Sequence, residues 1–249
     1  MSQRHLENSP SQSVHSSRQL RDEKLLSLKR LAYGASHEIN NPLANIASRA
    51  QALLVGETDP DRRHELATIY AQAMRGHEMI ADLMLFARPP QPRPNECTLD
   101  AIATDAMQQT LPLGKLQETE LKLVPSDREI RLTADANLIT LAVCALIRNA
   151  LEALKCGGKI EVTLATEDEV ATIAVQDDGP GISDEQAEIV FDPFHSGREA
   201  GRGLGFGLTK CWTIAQAHGG DTYVDTAYGP GARIVLEIPL SPKINCESE

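Results

Sequence analysis

Two stretches in the N-terminal third of the chain carry apolar residues at steps of three and four. The first stripe ends at Leu53, and the second runs from Leu66 to Ala87. This spacing places the apolar residues of each stretch along one face of a helix. GETDP (56–60) interrupts the pattern and PPQPRP (89–94) ends it, so we predict two helices in an antiparallel hairpin. The first stripe comprises Leu25, Leu28, Ala32, Ala35, Ile39, Leu43, Ile46, Ala50 and Leu53.

A hairpin of two helices has too small a core to be stable alone. Pairing with a second copy would bury its apolar face in a four-helix bundle, so we expect a homodimer. The alternative is an ordinary hairpin that packs on the next domain of the same chain.

The apolar pattern changes after the proline-rich stretch, where short β-rich runs alternate with helical stretches. Neighbouring strand pairs joined by turns, with helices between them, predict a mixed sheet covered by helices on one face. The predicted strands are 120–124, 130–133, 159–166, 169–177, 221–226 and 232–239. The predicted helices are 98–111, a helix that Asp135 caps and that runs through Leu154, and 208–217.

The patterns together predict an α+β chain in which the helical hairpin precedes a two-layer α/β sandwich domain. We predict a disordered, Ser-rich tail at 1–17, the hairpin at 18–90, a linker at 91–96, the sandwich at 97–241 and a loose end at 242–249.

Composition excludes several classes of protein. A formal net charge of -11 argues against sequence-independent binding to nucleic acid or to an anionic membrane surface. The longest apolar run, Leu138 to Ile147, is about half of the roughly 20 residues that span a bilayer, and the N-terminus has no apolar core typical of a signal peptide. Five cysteines without a CxxC pair favour a reducing cytoplasm, and a zinc site or disulfide framework is not expected.

Two glycine clusters in the sandwich predict a ligand site. DDGPGI (177–182) follows a strand, where glycines let the backbone approach a planar ligand and Asp177 can accept a hydrogen bond from an amine. GRGLGFGL (201–208) opens a helix, whose N–H groups suit phosphate, although a flexible turn would look the same. Asn149 lies in a mostly apolar helix, and its amide oxygen suits Mg²⁺ unless it bonds to backbone.

Asn149, DDGPGI, FDPF (191–194) and GLGFGL (203–208) resemble, in order and spacing, the ATP-binding domain of sensor histidine kinases, which is shared with DNA gyrase, the Hsp90 chaperone and the MutL repair protein. The resemblance covers about residues 95–240. It implies that Asn149 coordinates Mg²⁺ and Asp177 bonds the adenine amino group. It also implies that Gly179 and Gly181 shape the base pocket and that Gly203, Gly205 and Gly207 wrap the phosphates.

The resemblance implies that residues 191–201 form a lid over the nucleotide. Arg198, at a position where the family often has Lys, and Arg202 are candidates to pair with phosphate oxygens, and solvated surface charge is the alternative. Ala145 occupies the position of the glutamate that activates water in the ATP-hydrolysing relatives, so the site suits transfer more than hydrolysis. Ala232 stands where relatives often have a threonine.

His37, in SHEINNPL (36–43), lies two residues from both Ala35 and Ile39, roughly 160–200° around the helix from the apolar seam, so we expect it to face water. A neutral imidazole beside the carboxylate of Glu38 can act as a nucleophile, although an exposed histidine alone is usually only surface. HEINNPL resembles the phosphoacceptor box of the same kinase family. The resemblance implies that His37 is phosphorylated, that Glu38 is its acid–base partner and that Asn41 orients water in a phosphatase reaction.

The sequence therefore predicts a cytoplasmic, homodimeric histidine kinase that uses ATP and Mg²⁺, phosphorylates His37 and transfers the phosphoryl group to a response-regulator receiver domain. We expect no nucleic-acid partner and no direct membrane insertion. Two alternatives remain open: a non-catalytic adaptor that docks a receiver domain, and an ATPase of the gyrase or Hsp90 type. His218, before Gly219 at a helix end, is expected to have a capping role.

Overall fold

The computed structural model describes Tyr33, Gly34, Ser36 and residues 38–192 and 205–241. The chain divides into two compact units, Met1–Arg88 and Pro89–Glu249, which we call the hairpin unit and the sandwich unit. This division lies close to the predicted linker.

The hairpin unit consists of helix α1 (38–54) and helix α2 (Pro60–Ala87). Asp59 ends the connection by capping α2, because its Oδ1 accepts hydrogen bonds from the backbone N–H groups of Asp61 and Arg62, each at 3.0 Å. Leu43 of α1 packs against Gly76 of α2, where an added Cβ would come within 3.0 Å of the leucine side chain. The predicted helical hairpin is thus confirmed.

Helix α1 buries small residues and leaves several large apolar ones exposed, whereas α2 buries Ile80 and Phe86 as well as Ala73. Ala47, Ala50 and Ala73 are buried between the helices. Ile39, Ile46 and Leu53, which were expected to share one seam with Leu43 and Ala50, are 44%, 45% and 62% exposed. The 3.6-residue period explains the difference, because a stripe with steps of three and four is wider than the surface that one partner helix covers.

The sandwich unit begins with two short paired strands and is built on one five-stranded mixed sheet. Strand order in the sheet is β2-β4-β5-β7-β6, with β2 and β4 parallel and the other neighbouring pairs antiparallel. Strand β1 pairs with β3 in the separate ribbon. The strands are β1 (Asn95–Thr98), β2 (Glu120–Val124), β3 (Arg131–Ala134), β4 (Lys159–Glu167), β5 (Val170–Asp177), β6 (Asp221–Val224) and β7 (Arg233–Pro239), and the helices are α3 (Leu99–Leu116), α4 (Ala136–Leu154), α5 (Asp184–Ala187) and α6 (Gly207–Ala217).

Helices α3, α4 and α6 form the second layer, with α4 in contact with both of the others. Strand β4 alternates strictly, so that Ile160, Val162 and Leu164 are buried while the residues between them are partly exposed. Ten of the 19 residues of α4 are buried, which explains why its apolar character extends around most of the helix. By length and composition α4 is also the one described helix that could cross a membrane, and such a buried core helix passes the same test.

Two parts of the sandwich differ from the sequence prediction. Residues 95–96, predicted as linker, belong to β1, which pairs with β3. Helix α3 continues past Pro112 to Leu116, because its last turn packs on β2: an added Cβ at Gly114 would lie 2.8 Å from Leu121. Pro112 costs one backbone hydrogen bond but does not end the helix.

Hydrogen bonds connect the start of α4 to the end of α6. The Asp135 carboxylate caps α4 through the N–H of Leu138 and also accepts the N–H of Arg93 at 2.9 Å. The backbone N–H of Asp135 donates to Nε2 of His218, and Nδ1 of His218 lies 2.8 Å from the carbonyl oxygen of Ile214. His218 is therefore the C-cap of α6, as expected, and its ring also joins the two helices.

Candidate functional site

Asp177, the last residue of β5, is a buried carboxylate and only 5% exposed. Its Oδ1 accepts hydrogen bonds from the N–H groups of Gly179, at 2.9 Å, and Ala232, at 3.3 Å. Burial raises its pKa, while these two hydrogen bonds act in the opposite direction. Both bonds use the same oxygen, so Oδ2 remains able to accept a hydrogen bond from a ligand.

The neighbouring carboxylate has a different task. Asp178 is exposed, and its Oδ1 accepts the N–H of Lys159 at 2.8 Å, which fixes the loop after β5 to the start of β4. Because successive residues of a strand point to opposite sides, Asp177 is buried and is a candidate ligand group, whereas Asp178 is exposed and has a structural role. The role of Asp177 as an acceptor for a ligand stays a prediction, and its burial beside free Oδ2 acceptor capacity supports that prediction.

The loop after β5 packs against the turn before β7. Gly181 adopts φ +79°, and an added Cβ there would lie 3.0 Å from the carbonyl oxygen of Gly231. Gly231 adopts φ +100°, and its added Cβ would lie 1.8 Å from the carbonyl oxygen of Asp177, which the backbone cannot accommodate. At this turn, only the missing threonine hydroxyl was noted from the sequence. The hydrogen bond from the N–H of Ala232 was missed, because any residue except proline supplies such a group. The close approach at Gly231 was also missed, although YGPG (228–231) indicates a tight turn.

Asn149 lies on α4, four residues after the buried Ala145 and partly exposed. No described residue forms a hydrogen bond with its side-chain amide, so the alternative of a buried asparagine bonded to backbone has no support in this part of the chain. Its oxygen is available for a cation of the kind that prefers oxygen ligands.

Helix α6 begins at Gly207 without a side-chain cap and without an acidic residue in its first turn. The other helices whose starts are described all have a capping side chain: Asp59, Thr98, Asp135 and Ser183. Among the described residues, no side chain caps the N–H groups at the start of α6, and the positive end of the helix favours an anion.

These groups lie at one end of the sandwich unit. Because the start of α4 meets the end of α6 at Asp135 and His218, the two helices are antiparallel, and the half of α4 that carries Asn149 lies beside the start of α6. Leu154, at the end of α4, lies next to the loop after β5, since an added Cβ at Gly179 would be 3.3 Å from its side chain. Asn149, the loop after β5 with Asp177, and the start of α6 therefore lie toward the same end of the sandwich unit.

The remaining predicted site residues lie partly outside the described residues. His37, Arg198, Arg202 and Gly203 are in this group, as is most of the predicted lid. In the hairpin unit, Glu38 and Asn41 are exposed on α1, one helical turn apart. Their roles beside His37 remain predictions.

Comparison with known families assigns both units. Residues 134–242 match the model described as histidine kinase-, DNA gyrase B- and HSP90-like ATPase. Residues 27–92 match the His kinase A (phospho-acceptor) domain. The two models occupy the chain in the order that the sequence motifs indicated.

Among similar curated proteins, the sensor histidine kinase ZraS of Escherichia coli O157:H7 is 30% identical over 222 residues, covering 89% of this chain and 48% of ZraS. The C4-dicarboxylate transport sensor protein DctS of Rhodobacter capsulatus is 31% identical over 229 residues, covering 88% of this chain and 35% of DctS. The chain therefore spans about half the length, or less, of these relatives.

Solved structures share the fold. Full-length ShkA in complex with AMPPNP matches with a TM-score of 0.73 at 18% identity, covering 86% of this chain and 46% of that chain. Histidine kinase ThkA in complex with the response regulator TrrA matches with a TM-score of 0.66 at 21% identity, covering 96% of this chain and 69% of that chain. Because both family models match in this order and these relatives are similar over most of the chain, the chain belongs to the histidine kinase family.

Proposed function

We propose that this chain is a protein-histidine kinase that transfers the γ-phosphoryl group of ATP to His37. The observation that carries the proposal is the Asp177 carboxylate, whose Oδ1 is held by two backbone N–H groups while Oδ2 stays available. Such an acceptor can select a base that carries an exocyclic amine, as adenine does.

The start of α6 is the proposed phosphate site. Its uncapped N–H groups, with Gly205 and Gly207, offer donors and a favourable dipole to the phosphates. Gly203, Arg198 and Arg202 are further candidates from the sequence, and the guanidinium groups suit phosphate oxygens.

We propose Asn149 as the protein ligand of Mg²⁺. A single amide oxygen fits this ion, which usually keeps several waters and takes other ligands from the phosphates. When bound, Mg²⁺ would neutralise charge on the phosphates. Ala145, buried one turn earlier on α4, offers no base that could activate water, which favours transfer over hydrolysis.

The proposed reaction transfers a phosphoryl group from a nucleotide bound by the sandwich unit to a residue of the hairpin unit. A ring nitrogen of His37 attacks the γ-phosphorus, an N–P bond forms, the bond to the β,γ-bridging oxygen breaks, and ADP leaves. Glu38 accepts the proton of the other ring nitrogen in the proposed mechanism. The phosphoryl group then passes to an aspartate of a response-regulator receiver domain, and Asn41 serves a phosphatase reaction on that aspartate.

The proposed active form is a homodimer in the cytoplasm. Ile39, Ile46 and Leu53 recur every seven residues on α1 and are exposed, which is the surface a second hairpin would cover in a four-helix bundle. The four cysteines in the described part of the chain, Cys97, Cys144, Cys156 and Cys211, are free thiols, which is compatible with the proposed reducing compartment.

Labelling with γ-labelled ATP and Mg²⁺ tests the proposal. The wild-type chain should acquire a label that is stable to base and lost in acid, and His37→Gln should abolish it. His64→Gln is the matched control, because His64 is an exposed histidine of the other hairpin helix and should leave labelling unchanged.

The same assay separates the alternatives. Phosphate release without labelled protein would favour an ATPase of the gyrase or Hsp90 type. Absence of both nucleotide binding and labelling in the folded chain would favour a non-catalytic adaptor. Transfer of label from the wild-type protein to purified receiver domains would identify the partner.

A further inference from the structure

A buried hydroxyl joins the two chain segments that flank residues 193–204. The Oγ1 of Thr209 lies 3.0 Å from the carbonyl oxygen of Phe191 and 3.3 Å from that of Gly205. Thr209 is in the first turn of α6 and is only 1% exposed. One hydroxyl proton is thus shared between a carbonyl that precedes the stretch and one that follows it.

This contact differs from the usual threonine bond within a helix. Thr68, Thr110 and Thr213 each donate to the carbonyl four residues earlier, at 2.8–2.9 Å. The Gly205 bond of Thr209 is of that kind, but the shorter bond reaches Phe191, 18 residues away. A hydroxyl that bonds only within its own helix would not need the carbonyl of Phe191 as a second acceptor.

The position matters because α6 starts without a side-chain cap. Gly205 adopts φ +74°, so its peptide can take orientations that other residues disfavour. The Thr209 hydroxyl restrains the carbonyl of Gly205, and the N–H of Lys210 restrains that of Phe206 at 2.8 Å. These two hydrogen bonds fix the first turn of α6, and with it the direction in which the first N–H groups of the helix point.

We propose that Thr209 is a positioning residue for the phosphates of the bound nucleotide. By fixing the carbonyls of Phe191 and Gly205, its hydroxyl holds the start of α6 in the orientation that receives the phosphate groups. The inference rests on the proposed function of nucleotide binding. The base pocket at Asp177 is built from other hydrogen bonds and does not depend on this hydroxyl.

Calorimetric titration with ADP and with adenosine tests the inference, because only ADP carries phosphates. Thr209→Val, which keeps the shape and removes the hydroxyl, should weaken ADP binding about tenfold, in line with the loss of one buried hydrogen bond. Adenosine affinity should change less than about twofold, and Thr209→Ser should restore ADP binding. The KM for ATP in autophosphorylation should rise about as much, with kcat little changed.

Thr213→Val is the matched control, since Thr213 lies on the same helix and donates to the carbonyl of Thr209 at 2.8 Å. It should lower the melting temperature as much as Thr209→Val does, without changing ADP affinity. If Thr209→Val does not fold, Thr209→Ala against Thr209→Ser decides by the same comparison.

Unchanged ADP affinity in Thr209→Val, or an equal loss for ADP and adenosine, would overturn the positioning role while the proposed function stands. A wild-type chain that binds no ADP would overturn both.

Discussion

The sandwich unit buries its largest aliphatic side chains, whereas helix α1 of the hairpin unit leaves several of them exposed. In the sandwich unit, Ile139, Ile147 and Ile173 are completely buried. In helix α1 of the hairpin unit, Ile39, Ile46 and Leu53 remain 44–62% exposed, and the buried residues of this helix are Ala47 and Ala50. Each fully buried aliphatic side chain contributes roughly 1.5–3 kcal/mol, so burial of this kind stabilises the sandwich unit and contributes less to helix α1. The exposed stripe of α1 is therefore the surface at which the proposed dimer can be tested.

Disrupting the exposed stripe should have the largest effect. Ile46→Glu places a charge where two copies of the hairpin are expected to meet. Because symmetry introduces the change twice, we expect dimer affinity to fall by about a hundredfold or more. Sedimentation equilibrium measures the dissociation constant, and Ser48→Glu, at an exposed polar position of the same helix, is the control that should leave it unchanged.

The prediction fails if Ile46→Glu dimerises as the wild type does, or if the wild-type chain is monomeric at every concentration. Either result would mean that something other than a second hairpin covers Ile39, Ile46 and Leu53. Melting of the sandwich unit should be the same in Ile46→Glu and the wild type.

A pair of glycines sharpens the comparison at the level of single contacts. Gly231→Ala puts a Cβ 1.8 Å from the backbone oxygen of Asp177 at φ +100°, and neither the backbone nor the φ angle can adjust cheaply. We expect a loss of about 3 kcal/mol or more in the free energy of unfolding of the sandwich unit. Gly76→Ala in α2 meets only the flexible end of Leu43 at 3.0 Å, and the gain of about 1 kcal/mol in helix propensity offsets that contact.

Chemical denaturation of the two variants measures the difference. A Gly231→Ala chain as stable as the wild type would show that the turn before β7 can move away from Asp177. A Gly76→Ala chain that loses more stability than Gly231→Ala would reverse the comparison, since the hairpin would then be the more tightly packed unit.

The sequence predicted the elements of the sandwich more accurately than the packing of the hairpin. Helix α4 and strand β2 were predicted with their exact ends, because Asp135 signals the start of the helix and flanking polar residues limit the strand. Exposure of Ile39 and Ile46 could not be predicted, since periodicity does not tell which part of a wide apolar face a neighbour covers. At the site, the proposed role of Asp177 was predicted from its place after a strand. The close approach at Gly231 was missed, because YGPG (228–231) indicates a tight turn but not which distant backbone segment lies next to it.

Acid titration gives a smaller but distinctive effect, because Asp177 is the one buried carboxylate among the described residues. Burial raises its pKa, so it takes up a proton at a higher pH than an ordinary aspartate does. Adenosine has no phosphate that titrates, so its affinity should report this carboxylate. We expect adenosine affinity to fall as the pH is lowered, by at most about tenfold per pH unit, and the fall to begin at a higher pH than the titration of an ordinary aspartate would give.

The fold should survive the same change of pH. For Asp135, burial alone would raise the pKa, but hydrogen bonds from the N–H groups of Arg93 and Leu138 lower it overall, so its capping contribution is present above the ordinary aspartate pKa and is lost only at still lower pH. A raised pKa at Asp177 has the opposite sign, because the folded state then binds the proton more tightly and protonation does not weaken folding. Melting temperature should therefore stay nearly constant while adenosine affinity falls, and Asp177→Asn should bind weakly without pH dependence. Adenosine affinity that stays constant, in the folded chain, down to the pH at which an ordinary aspartate takes up its proton would contradict the assignment of Asp177 as the acceptor for the base.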